Sequence, residues 1–140
     1  MKEIKFRGQS AYDGDWHYGF YREFSMPSCW ADEAYKDGIN YYIDEKGSNE
    51  SYLVVPSTIG QFTGLEDKNG AEIYEGDIVR EQSKRFKNRY FIVEWLSGIG
   101  SYSFQPVDKK AKSWPCFNIG TAKNLEIVGN IYENKELLEE

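Results

Sequence analysis

The chain has 140 residues, 29% of them charged, and a net charge of −6. That length suits one domain, or a small domain with an appendage. The acidity argues against broad nucleic-acid binding, which works by neutralising phosphates. No apolar run approaches the roughly 18 residues that span a bilayer, and the mean hydropathy of −0.69 fits a soluble protein. The N-terminal Met1-Lys2-Glu3-Ile4 has no apolar signal core. A cytoplasmic location is therefore expected, and in that reducing setting Cys29 and Cys116 read as free thiols.

Ile4-Lys5-Phe6-Arg7 alternates in polarity and reads as a first strand. Asp13-Gly14 is a turn signal, after which Trp16, Tyr18 and Phe20 share one face of a second strand paired to the first by a hairpin. Met26 to Trp30 reads as a loop and Trp30 to Lys36 as a helical turn or two, stopped by Gly38. Asn40 to Ile43 and Tyr52 to Val55 are short strands around a polar loop. Pro56 then closes the N-terminal part, since proline cannot continue a central ladder.

The stretch from Gly60 to Arg80 carries two reversals. Asp67-Lys68-Asn69-Gly70 reads either as a type I′ turn centred on Asn69-Gly70 or as a type I turn followed by a left-handed Gly70. The second reversal is Glu75-Gly76-Asp77, and Asp77 launches a strand. Arg89 to Trp95 is apolar on both faces and is expected to lie centrally in a sheet. Tyr102 to Gln105 follows, then a lysine-rich loop from Asp108 to Ser113. Leu125 to Tyr132 is the last strand, in which Gly129 permits a bulge, and Lys135 to Leu138 is a final helical turn.

The fold expected is thus mostly β with little helix: an N-terminal β-hairpin region and a small antiparallel barrel-like or curled sheet in the C-terminal part. The expected divisions are 1–55, 56–134 and a tail at 135–140.

Three blocks carry a family resemblance. They are Glu3-Ile4-Lys5-Phe6-Arg7, the segment Thr58 to Val79 with its Asp67-Lys68-Asn69-Gly70 and Ile73-Tyr74-Glu75-Gly76-Asp77 motifs, and Ile127-Val128-Gly129-Asn130-Ile131-Tyr132-Glu133-Asn134. Together they resemble the YopX family of bacteriophage and prophage proteins. The chain departs from the family's pattern at Gly8-Gln9-Ser10 and at Lys135. The resemblance implies a β-rich protein of phage or prophage origin acting in the bacterial host cytoplasm. It implies no reaction, cofactor or metal, and no functional residues transfer with it.

Chemistry-bearing residues fit this picture. His17 is the sole histidine, with Cys29 the nearest nucleophile in sequence. A lone His has many roles, and a strand position facing away from Trp16 and Tyr18 is the simpler one. One His and two scattered Cys do not form a zinc ligand pattern. The carboxylate pairs Asp13/Asp15, Asp32/Glu33 and Glu75/Asp77 sit in or beside turns, where Asp commonly bonds its own backbone. The glycines between Gly60 and Gly76 lack a Gly-Lys-Ser/Thr ending and read as turn glycines, with Asn69, Gly70, Gly76 and Asp77 as turn residues.

Lys84, Arg85, Phe86, Lys87 and Arg89 place four cations and one aromatic in a short span, enough for phosphate contacts and a stacking platform. The plainer reading is a solvated hairpin tip. A non-enzymatic accessory module that binds a protein partner, or a second copy of itself, is therefore expected. Nucleic-acid binding through residues 84–89 is the alternative, and no membrane partner is expected.

Overall fold

A computed structural model describes residues 3–25, 39–82 and 88–139. The fold is mostly β, arranged as antiparallel sheets, and none closes into a barrel. By internal contacts the chain divides into two compact units, Glu3–Gln61 and Phe62–Glu140. No helix among the described residues is long and apolar enough to cross a membrane.

The first unit is built from β1 (Phe6–Gln9), β2 (Trp16–Ser25), β3 (Ile39–Glu45) and β4 (Ser51–Leu53), in the spatial order β4-β3-β2-β1. The β1–β2 hairpin is closed by Gly14 at φ 77° and by the Asp13 carboxylate, which accepts a hydrogen bond from the Asp15 amide at 2.9 Å. That bond is the first cause holding the Asp13 carboxyl below its usual range. Beyond β4 the chain bends back towards β1. The Val54 amide donates to the Tyr41 carbonyl, the Val55 amide donates to the Gln9 carbonyl, and Ser10 and Val54 form an isolated bridge. This return encloses Ile43 and Val54, both buried. The Phe6 and Tyr21 rings meet at 5.6 Å, and Tyr21 stacks on Tyr41.

A one-turn 3-10 helix, Pro56–Thr58, leads into β5 (Gly60–Glu66). Gly60 and Gln61 pair with β1. From Phe62 onward, β5 pairs with β6 (Glu72–Tyr74).

The second unit also holds an open four-stranded sheet in the order β10-β7-β8-β9. Its strands are β7 (Asp77–Gln82), β8 (Asn88–Leu96), β9 (Ser101–Pro106) and β10 (Leu125–Asn130). As its two apolar faces require, β8 is central, paired with β7 and β9. Phe91 and Val93 point into a core with Ile73, Val79, Phe104, Ala122 and Leu125. Phe117 packs against this cluster, its ring 4.9 Å from that of Phe104. Full burial of each Ile, Val, Leu or Phe side chain of this cluster stabilises by about 1.5–3 kcal/mol.

A short helix, α1 (Ile119–Ala122), precedes β10; Asn118 caps it by accepting from the Thr121 amide at 2.8 Å. The sequence reading did not include α1, because four residues hold no helical period. Its one signal is the cap residue. The helical turn expected at 135–138 is a 3-10 turn, Lys135–Leu138. The loop and helical turn expected from Met26 to Lys36 lie outside the described residues.

Two of the segments that carry the family resemblance are tied into this frame by hydrogen bonds from backbone amides. Asp67 is buried, and its carboxylate accepts from three amides: Asn69 and Ala71 at Oδ1 and Ile127 at Oδ2, at 2.9, 2.9 and 3.0 Å. The Gly70 amide donates to the Asp67 carbonyl, and Gly70 has φ 80°. No non-glycine residue has positive φ among the described residues, which decides against the type I′ alternative and for the type I turn with a left-handed glycine. At the second reversal the Tyr74 amide donates to Asp77 Oδ2, the Gly76 amide to the Val93 carbonyl, and the Ile131 amide to the Gly76 carbonyl. In β10 the register slips between Ile127 and Gly129, the bulge that Gly129 allows. A Cβ there would run into the Asn134 side chain, whose Oδ1 accepts from the Asn130 amide.

Candidate binding surfaces

The long turn motifs therefore act on the fold. Two other features present chemistry to solvent, one in each unit.

In the first unit, alternation along β2 sends successive side chains to opposite faces. Gly19 is buried, and Tyr21 contacts Phe6 and Tyr41. On the opposite face Tyr18, Phe20 and Phe24 are 45%, 54% and 50% exposed. Arg22 lies on that same face, with its guanidinium 4.6 Å from the centre of the Tyr42 ring. It donates from Nε and Nη2 to the Asp44 carboxylate at 2.9 and 3.2 Å, and Ser51 Oγ donates to Asp44 Oδ1 at 2.6 Å. These bonds, Arg22 first and Ser51 second, hold the Asp44 carboxyl below its usual range. Arg7 stacks over Trp16 at 4.6 Å at the far end of the strand. The result is an aromatic surface whose central Arg22–Asp44 ion pair is internally satisfied.

The second feature is a cleft of about 350 Å³ in the second unit. Its apolar lining includes Tyr90, Phe91, Pro106 and Leu137. Arg89 also lines it and is held from three sides. Nε and Nη2 donate to Glu81 Oε1 at 3.0 and 2.8 Å, Nη1 donates to the Ser113 carbonyl, and the guanidinium lies 5.2 Å from the Phe91 ring centre. Of the basic segment singled out in the sequence, Arg89 is thus committed to its own sheet. Lys84, Arg85, Phe86 and Lys87 lie outside the described residues.

His17 stacks on Tyr52 with ring centres 3.5 Å apart and planes 7° from parallel. Cys116 is a free, exposed thiol, and Cys29 is outside the described residues. Among the described residues no group of three or more His, Cys, Asp or Glu side chains is placed to hold a metal ion. The sequence reading found the strand bearing Tyr18 and Phe20 but not the cleft, whose walls come from segments far apart in the chain.

The YopX protein family model matches residues 5–139. The chain belongs to the YopX family. No curated protein is detectably similar to it. Among solved structures it is similar to the crystal structure of protein EF1440 from Enterococcus faecalis, at 22% identity and a TM-score of 0.54. The match covers 99% of this chain and 100% of that one. At that identity the likeness concerns the fold, and it spans the length of both chains.

Proposed function

We propose that this YopX-family protein is a non-enzymatic accessory module of phage or prophage biology. It acts in the bacterial cytoplasm by binding a protein partner or a second copy of itself. The observation that carries this reading is the row of half-exposed rings, Tyr18, Phe20 and Phe24, on one face of β2. Large aromatic side chains contribute disproportionately to the cores of protein interfaces, because they bury much area at little entropic cost. Arg22 and Asp44 are already paired on that face, so a partner can cover it without leaving either charge unmatched. The acidity of the chain favours a protein over a nucleic acid as the occupant.

The test compares the wild-type protein with a Phe20→Ser/Phe24→Ser double variant as bait in cells carrying the phage or prophage, with and without nuclease. The sedimentation velocity of each purified protein is measured alongside. The expected result is a nuclease-resistant partner, or a self-association, that the double variant loses while keeping its denaturation midpoint. Binding that nuclease abolishes, or that the double variant retains, would remove this face from the proposal.

A further inference from the structure

The cleft in the second unit has a chemistry of its own, independent of the aromatic face of β2. Its volume of about 350 Å³ lies at the lower end of the range of small-ligand sites, about 300–1,000 Å³. Such sites combine an apolar lining with a few placed polar groups. Here the apolar part is supplied by Tyr90, Phe91, Pro106, Val107 and Leu137, and three carboxylates, Asp108, Glu136 and Glu139, share the lining. Among the described residues of the lining the one cation is Arg89, and its charge is already met by Glu81, which is not part of the lining.

In the described loop after β9, none of Lys109, Lys110 and Lys112 lines the cleft. Two of the carboxylates have only light internal engagements. Asp108 Oδ1 accepts from the Lys110 amide at 2.9 Å, and Glu136 Oε1 accepts from the Asn134 side-chain amide at 3.4 Å. Neither partner carries a charge, so neither neutralises the acid. The described lining is therefore apolar and acidic at once, a combination that favours an organic cation and disfavours an anion.

We infer that this cleft is a binding site for an alkylguanidinium group of the kind an arginine side chain carries. A planar guanidinium stacks on an aromatic ring and forks onto carboxylates in one plane, which suits Tyr90 beside Asp108, Glu136 and Glu139. Its weak hydration also lowers the cost of entering an apolar cleft relative to an ammonium. The same group can arrive on a partner polypeptide or on a free small molecule.

The test is a titration of the full-length, isotope-labelled protein followed by amide NMR. The probes are N-acetyl-arginine-N-methylamide, its neutral citrulline counterpart, and butylguanidinium, which lacks a peptide backbone. The arginine probe is expected to shift the amides of Tyr90, Val107, Ala111 and Leu137. The citrulline probe should bind about ten-fold more weakly or worse, as loss of charge-assisted hydrogen bonds implies. A Glu136→Gln/Glu139→Gln variant should weaken the arginine probe to a similar degree, and Ala111→Phe, which narrows the cleft, should abolish binding. Butylguanidinium binding as well as the arginine probe assigns the site to a free cation, and weaker binding assigns it to a polypeptide side chain. Equal affinity for citrulline, full affinity in the double glutamine variant, or shifts confined to other residues would overturn the assignment. So would the absence of any shift at millimolar probe.

Discussion

Asp67 is a buried carboxylate with three amide donors. Its two oxygens collect the amides of Asn69 and Ala71 within its own turn and that of Ile127 from β10, sixty residues away. Removing the carboxylate leaves these donors short of an acceptor in a partly buried setting. Asp67→Ala should therefore cost about 3 kcal/mol or more. Asp67→Asn should recover only part of that loss, because its NH2 group would face a backbone donor. Urea denaturation of the two variants measures both, and an Asn variant as stable as wild type would show that the Ile127 bond contributes little. Gly70 tests the backbone instead. A Cβ at Gly70 would meet nothing within 4 Å, so any cost comes from φ at 80° rather than from crowding. Gly70→Val should destabilise by about 1 kcal/mol or more, and Gly70→Asn by less, since Asn tolerates the left-handed region. Equal midpoints for the two variants would remove the strain argument.

At the scale of elements, β2, β3 and β4 are tied together by one ionic group. Asp44 accepts from Arg22 on β2 and from Ser51 on β4. Its carboxyl is depressed by the Arg22 bond first and the Ser51 bond second. A depressed folded-state pKa means that the stabilisation is present above the ordinary carboxylate value of about 4. It is lost as pH falls through the lower folded value. Arg22→Gln should accordingly raise the Asp44 pKa towards the ordinary value, read by carboxyl-carbon NMR titration. Asp44→Asn should flatten the acid limb of the stability profile below about pH 4. An Asp44 titration indifferent to Arg22→Gln would mean that the pair is absent in solution. The effect is modest by nature, because both side chains keep part of their hydration.

Over the whole molecule, burial is uneven. Ile43 and Val54 are the buried hydrophobic residues of Glu3–Gln61 among the described residues, whereas Phe62–Glu140 holds the cluster around Phe91, Val93 and Phe104. Opening free energy follows such burial. Native-state hydrogen exchange should find the slowest amides at Val79, Phe91 and Val93, and faster exchange along β2 and β3. Uniform protection across both units would show that they open together. Charge acts at the same scale. With a net charge of −6 and Arg89 held by Glu81, titration with labelled single- and double-stranded oligonucleotides should show little binding at physiological salt. Tight binding there that disappears when Lys84, Arg85, Lys87 and Arg89 are all changed to Gln would establish the nucleic-acid alternative.

Much of the fold was legible because its signals are local. Asp13-Gly14, Asn69-Gly70 and Glu75-Gly76 mark reversals through the few residues that turns accept. Arg89 to Trp95 announces a central strand by being apolar on both faces, and Gly129 marks the bulge through its missing side chain. Family membership was legible for the same reason, since its motifs are contiguous runs. Other features depend on residues far apart in the chain. Alternation in β2 put Trp16, Tyr18 and Phe20 on one face, but only the bend that brings Val54 to Ser10 made the opposite face the inner one. Periodicity sorts side chains into two sets without saying which set meets water. The Asp67 carboxylate that closes the turn before Gly70 also reaches β10, and the cleft joins β8, the loop after β9 and the last turn. Such long-range closures follow from packing, and no short window of sequence contains them.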